Sequence, residues 1–235
     1  MNLTEILIKI KKIWNWIWNS DSIWSWLVAL ILIFLIIKFI FFPTLSLIFG
    51  TSLPLAGVES SSMDHHSLKY CTKYDSNMNC IEQSSDYEIC GKKFDKKTSF
   101  NFDEYWDICG GWYVDNKQIT KPVFEKFSMK NGFRKGDIII VWGRFTPKIG
   151  DIIIFKPNQG STRPTPIIHR IIEINEDGTY QTKGDHNEAQ LTKNLPPYVD
   201  ELNIKKDQII GKAIFKIPYL GWIKIWAMDL INAFR

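Results

Sequence analysis

The run from Ser22 to Phe42 constrains this chain more than any other stretch, because in about 21 residues Lys38 carries the only charge. At ~1.5 Å rise per residue, such a segment crosses a ~30 Å hydrocarbon layer as one helix. It is longer than the roughly 7–15-residue apolar core of a cleaved signal sequence, and no small-residue cleavage pair follows directly, so a retained transmembrane helix is expected over 22–42. Lys9, Lys11 and Lys12 precede it, opposed by Glu5 and Asp21, whereas the flank from Pro43 to Val58 has no basic residue. That asymmetry puts the amino terminus in the cytoplasm and everything after about residue 50 on the other side, as in a single-pass protein of the plasma membrane. Residues 1–21 mix Leu3, Ile6, Leu7, Ile10, Ile13 and Trp14 with lysines, the pattern of an amphipathic helix lying on the inner leaflet or packed on a partner subunit.

Composition narrows the class. The chain has 235 residues, 45% of them hydrophobic, and 29 basic against 25 acidic residues give a net charge of +4. This excludes a large multidomain machine, a polytopic transporter and a disordered chain, and no nucleic-acid partner is expected. Seven of the ten Trp gather at Trp14, Trp16, Trp18, Trp24 and Trp26 near the start and at Trp222 and Trp226 near the end, where indole rings suit a membrane–water interface. Over 222–235, Lys224, Asp229, Asn232 and Arg235 share one side of a helical wheel and Trp222, Ile223, Trp226, Leu230, Ile231 and Phe234 the other. That stretch is too short to span, so an interfacial amphipathic helix is expected.

Cys71, Cys80, Cys90 and Cys109 fall in one polar stretch without a CxxC pair, so zinc is not expected there, and no cofactor is called for. Outside the cytoplasm an even number of cysteines favours two disulfides, and the three possible pairings stay open. Residues 67–121 read as an irregular, stapled insert. If it lies away from the working site, reducing it should spare most activity.

After residue 121 the texture becomes that of short strands. Gly136-Asp137-Ile138-Ile139-Ile140-Val141 and Gly150-Asp151-Ile152-Ile153-Ile154-Phe155 are near copies, each a turn pair feeding a β-branched run. Ile167–Ile174 forms a third strand, joined by an Asp177-Gly178 hairpin to Tyr180–Lys183, and Gln208–Phe215 a fifth with a bulge at Gly211. Leu55–Ser60 leads from the anchor into this sheet. The expectation is a mainly β catalytic domain over 50–66 and 122–221, with the transmembrane helix, the insert and the terminal helix attached.

Three patches carry chemistry, and each has a plain structural explanation. Ser60-Ser61-Ser62-Met63 can be a turn, His169-Arg170 a satisfied pair in a strand, and Lys183-Gly184-Asp185-His186-Asn187 a strand exit. Taken in order behind an N-terminal anchor, they resemble the type I signal peptidases, in particular their archaeal and endoplasmic-reticulum branch. Ser60-x-Ser62-Met63 resembles the nucleophile box, His169-Arg170 the box in which the bacterial branch has lysine, and Lys183-Gly184-Asp185-x-Asn187 the Gly-Asp box. The two Gly-Asp strand starts and Ile217-Pro218-Tyr219-Leu220-Gly221 also match the family pattern.

The resemblance implies a serine endopeptidase that removes signal peptides from secretory precursors after small residues. Ser62 would attack, His169 would act as general base, Asp185 would orient the imidazole, and Ser60 and Ser62 would form the oxyanion hole. An imidazole titrates near pH 6.5 in isolation, which suits it to that role. The second aspartate of the endoplasmic-reticulum relatives is missing after the Gly-Asp box, and Glu188 and Asp200 are the other carboxylates considered. His65 and His66 read as surface or structural. The partners would be signal-peptide-bearing preproteins and the lipid bilayer, with accessory subunits left open. Two rival readings are a non-catalytic membrane-anchored binding protein acting through the insert, and a disulfide-stapled surface receptor or pilus-like subunit.

Overall fold

The computed structural model describes residues 2–74, 80–163, 165–222 and 226; apart from Trp222 and Trp226, the amphipathic segment expected over 222–235 lies outside them. The chain divides into two compact units, 1–48 and 49–235. In the first, helix α1 (Leu3–Asn19) is followed by α2 (Ile23–Ile36), which Ser22 begins by accepting a hydrogen bond at Oγ from the Trp24 N–H at 3.3 Å. A π-turn over Ile37–Phe41 leads into α3 (Phe42–Phe49). Together they form a 27-residue helix, Ile23–Phe49, long and apolar enough to cross a membrane. It continues past the expected end at Phe42. Pro43 has no N–H to give to the preceding turn, and the helix passes it by widening into the π-turn.

The second unit is built on a six-stranded antiparallel sheet. Its strands in chain order are β1 (Leu55–Gly57), then β2 (Leu68–Tyr74), β3 (Cys80–Ile89) and β4 (Lys92–Phe94) of a separate small sheet, then β5 (Ile138–Trp142), β6 (Ile152–Phe155), β7 (Ile167–Ile174), β8 (Tyr180–Lys183) and β9 (Ile209–Ile217). The main sheet runs β1-β5-β9-β6-β7-β8 and the small one β2-β3-β4. The mainly β expectation holds. The two Gly-Asp repeats make the same turn: Gly136 and Gly150 have φ of 92° and 91°, a region that favours glycine, and each following aspartate accepts a backbone N–H from three residues earlier, at 2.9 Å from Arg134 and 3.1 Å from Lys148. β6 is buried on both faces between β7 and β9, whereas β5, between β1 and β9, alternates between buried and half-buried residues because one of its faces packs more tightly on the core than the other.

One local reading is refined and one changes. The register of β9 against β6 slips between Gly211, paired with Ile154, and Ile209, paired with Phe155, so the expected irregularity lies beside Gly211. Gly211 also serves a close approach, because a Cβ there would meet the Val141 side chain at 2.5 Å. The first strand stops at Gly57, short of the expected Ser60.

The larger difference is in 67–121, where most of the described residues form regular secondary structure. Besides the small sheet they hold helix α4 (Phe102–Lys117), whose start is fixed by a reciprocal cap: Asn101 Oδ1 accepts the Glu104 N–H at 3.0 Å and Glu104 Oε2 accepts the Asn101 N–H at 2.9 Å. Tyr105, Cys109 and Tyr113 recur every fourth residue on its buried side, and with short helix α5 (Lys121–Phe124) they pack against Ile89 and Ile172. The disulfides are Cys71–Cys80, between β2 and β3, and Cys90–Cys109, which ties the turn after β3 to α4.

Candidate active site

Neighbouring residues on a strand point to opposite faces, and the β7–β8 pair shows what that does to the two carboxylates. His169 shares its face with Ile171, and across the ladder with Thr182; Arg170 shares the other with Lys183. Past the end of β8 the alternation continues, with Gly184 beside His169 and Asp185 beside Arg170. Asp185, expected to orient His169, therefore lies on the wrong face for it. It takes a bidentate pair from Arg170, at 2.9 Å from Nε and 2.6 Å from one Nη, and the His65 Nε2–H at 3.3 Å. The remaining Arg170 N–H groups go to the carbonyls of Ser128, Gly150 and Met129, and the guanidinium lies 4.9 Å over the Phe124 ring.

The partner of His169 Nδ1 is Glu201. Both side chains are buried, and the carboxylate is held from other sides: the Thr182 hydroxyl donates to Oε1 at 2.8 Å and the Leu191 N–H to Oε2 at 2.7 Å. Glu201 sits on a return segment that pairs with β8 through backbone bonds between Tyr180 and Ile204 and from the Thr182 N–H to the Glu201 carbonyl. Neither Glu188 nor Asp200 takes that position. Glu188 lies against Gly91, and Asp200 accepts the Leu202 N–H in a local turn. Sequence reading missed Glu201 by a single residue, and no motif marks it.

With Nδ1 engaged, Nε2 of His169 faces Gly184. A Cβ built on Gly184 would stand 2.9 Å from that nitrogen and 2.7 Å from the Ser62 carbonyl oxygen, so the glycine is what lets the Ser62 loop and the imidazole come together. The Ser62 carbonyl also accepts the His186 N–H at 2.9 Å. Ser60 and Ser62 hydroxyls lie 3.2 Å apart. Ser60 is exposed and Ser62 half-buried, while Met63 behind them is anchored in the core beside Ile152 and Ile154.

The other histidines are structural. His65 is buried, stacked on Tyr105 with ring centroids 3.6 Å apart; burial lowers its pKa against the pull of Asp185, so at neutral pH it is an uncharged donor. His66 pairs with Asp64, and His186 Nδ1–H donates to the Asp64 carbonyl at 3.0 Å, with burial lowering its pKa too. Burial alone would push the Asp185 carboxyl up; the Arg170 guanidinium and the His65 hydrogen bond outweigh it and hold that group well below the usual carboxylate range. Lys183 is fully buried with Nζ between the Trp112 and Tyr113 rings, at 5.1 and 4.9 Å from their centroids, and burial brings its pKa down to about 8 against the carboxylates of Asp185 and Glu201. It lies on the face away from His169.

The Ser62 loop thus meets a buried, carboxylate-backed histidine across Gly184 on an antiparallel sheet. No protein-family profile matches the chain. Among curated proteins it is similar to the signal peptidase complex catalytic subunit SEC11 of Lachancea thermotolerans, 33% identical over 125 residues that cover 49% of this chain and 70% of the relative. The same subunit of Chaetomium globosum is 31% identical, covering 42% of this chain and 58% of the relative, and that of Zygosaccharomyces rouxii 32%, covering 43% and 62%. The chain belongs to this family of signal peptidase catalytic subunits.

Proposed function

We propose that the chain is a membrane-anchored serine endopeptidase that removes signal peptides from secretory precursors, with Ser62 as nucleophile, His169 as general base and Glu201 as the carboxylate that orients the base. The observation that carries this reading is the seating of His169: Nδ1–H is committed to Glu201, which leaves the Nε2 lone pair turned toward the Ser62 loop. Attack begins with rotation of Ser62 Oγ away from Ser60 and toward Nε2; distances of this kind tighten when substrate docks. The proton passes to Nε2, Oγ adds to the scissile carbonyl, and the imidazolium, balanced by Glu201, returns the proton to the leaving amine. Water then repeats the sequence on the acyl-enzyme. The Ser62 N–H and the Ser60 hydroxyl are assigned to the oxyanion, as in the family pattern.

β1 is an edge strand beside the nucleophile loop, which suits addition of an extended substrate by main-chain hydrogen bonds. A preference for small residues before the cut follows from the resemblance alone. The helix Ile23–Phe49 is proposed as a single membrane anchor, with the disulfide-bonded unit on the oxidising side. The plasma membrane named from sequence has no support among the fungal relatives; the location proposed is the membrane that houses their signal peptidase complex. Those names also make accessory subunits part of the proposal. The rival reading as a non-catalytic binder rested on a missing second carboxylate, and Glu201 supplies one.

The test is cleavage of a purified secretory precursor by the full chain in detergent. Ser62→Ala should reduce the rate at least ~10³-fold with expression and folding unchanged. A residual rate above a tenth of wild type would place the nucleophile elsewhere.

A further inference from the structure

Resting on that reading, we infer that helix α4 of the insert is a positioning element of the active site, and that through Tyr105, Tyr113 and the Cys90–Cys109 disulfide it fixes the Gly184–Asn187 loop against Ser62. Turnover then depends on the oxidation state of that one cysteine pair.

The contacts run in a short chain. The Cys90 N–H donates to the His186 carbonyl at 2.9 Å, and the His186 N–H in turn donates to the Ser62 carbonyl at 2.9 Å. A single residue, His186, thus links the backbone of Cys90 to that of Ser62. Cys90 Sγ lies 3.4 Å from the Asp185 carbonyl oxygen, which also accepts the Tyr105 hydroxyl at 2.9 Å, and the Tyr113 hydroxyl donates to Asp185 Oδ1 at 3.3 Å. Both tyrosines are completely buried, and both are on α4 with Cys109 between them. Tyr105 also stacks on His65, two residues beyond Met63. The loop that separates His169 from the Ser62 carbonyl by a single glycine is therefore held from outside the main sheet on two sides, by the Ser62–His65 segment and by the insert, which supplies Cys90, Tyr105 and Tyr113.

Cys71–Cys80 provides an internal control. It joins β2 to β3 at the end of the hairpin away from α4, and among the described residues the other polar contacts of its sulfurs are to carbonyls of the same hairpin. Breaking it leaves α4 and the loop in place.

The experiment uses full-length protein in detergent micelles and a signal-peptide-bearing precursor. kcat, KM and thermal midpoint are compared for wild type, Cys71→Ser/Cys80→Ser, Cys90→Ser/Cys109→Ser and Tyr105→Phe/Tyr113→Phe, before and after a thiol reductant. The expected result is a tenfold or greater fall in kcat on reduction of wild type and of the Cys71/Cys80 variant, with KM within twofold and recovery on reoxidation. The Cys90/Cys109 variant should start at the low value and ignore reductant. The tyrosine variant keeps both disulfides and loses only two hydroxyls, and it should lose kcat at least fivefold while staying folded; it decides the matter if the cysteine variant does not fold. Wild-type kcat in a folded Cys90/Cys109 or tyrosine variant, or a loss confined to KM, would overturn the inference while leaving the proposed activity standing. No cleavage by oxidised wild type would overturn both.

Discussion

The two faces of the β7–β8 pair carry two buried histidine–carboxylate pairs in opposite electrostatic settings, and the proposed mechanism uses only one of them. On one face, His169 and Glu201 are backed by Thr182 and the Leu191 N–H, and among the described residues no Lys or Arg is bonded to either, so a proton arriving on the imidazole meets a carboxylate ready to balance it. On the other, Asp185 is already neutralised by Arg170, and His65 is kept uncharged by burial, so a further proton has no favourable place to go. The lesson is that proximity of histidine to carboxylate does not define a catalytic pair. The charge inventory around it does.

The largest expected difference between the faces is in rate. His169→Ala should lower kcat by ~10⁴-fold or more, by comparison with the loss of a triad histidine, whereas His65→Phe, which keeps a ring against Tyr105, should stay within about tenfold, because it removes one hydrogen bond to a carboxylate. Precursor-cleavage kinetics at saturating substrate check both. Equal losses would erase the distinction.

Stability should show the reverse order. Asp185→Asn strips the counter-charge from a fully buried guanidinium and should destabilise the folded unit by about 3–5 kcal/mol in denaturant unfolding. Glu201→Gln leaves no buried cation unpaired and should cost about 1–2 kcal/mol. Gly184→Ala should fall between faces: the added methyl meets Ser62, Asn187 and His169 at under 3 Å, so about 1–3 kcal/mol of stability is lost along with at least tenfold of rate.

The smallest effect is in the pH dependence of stability. His65 and His186 have pKa values below the 6.5 of a free imidazole, so the unfolded chain binds more protons as pH falls through that value and the folded state loses stability. Asp185, lowered from 3.8, adds a second loss of the same sign below about that pH. Lys183 acts at the other end: between about 8 and 10.5 the unfolded chain holds the extra proton, so stability rises with pH there. Thermal midpoints across pH 3 to 10 should therefore fall on the acid side, and His65→Phe should flatten the step below 6.5.

Most of the main sheet was legible because its strands are short β-branched runs set off by Gly-Asp turns, signals that are local in sequence. The proposed nucleophile and base, Ser62 and His169, could be named from sequence for the same reason, each in a compact motif. Glu201 was not. It reaches His169 by tertiary return of a segment rich in Pro and Asn with no periodicity, and Asp185 looked better placed until the strand alternation put it on the Arg170 face. In the insert, read from sequence as irregular, the helix signals are the Asn101/Glu104 cap and the four-residue spacing of Tyr105, Cys109 and Tyr113, and Gly110-Gly111 in the middle masks them. Gly110 is there because a Cβ would strike the Trp106 ring at 2.5 Å.

The central claim, that Glu201 and not Asp185 serves the base, is tested most directly by kcat of Glu201→Gln on a purified precursor. The account predicts a fall of roughly 10²–10⁴-fold in protein that remains folded, since the amide can no longer balance the imidazolium and can hold the wrong tautomer. A Glu201→Gln enzyme with kcat within threefold of wild type would contradict it.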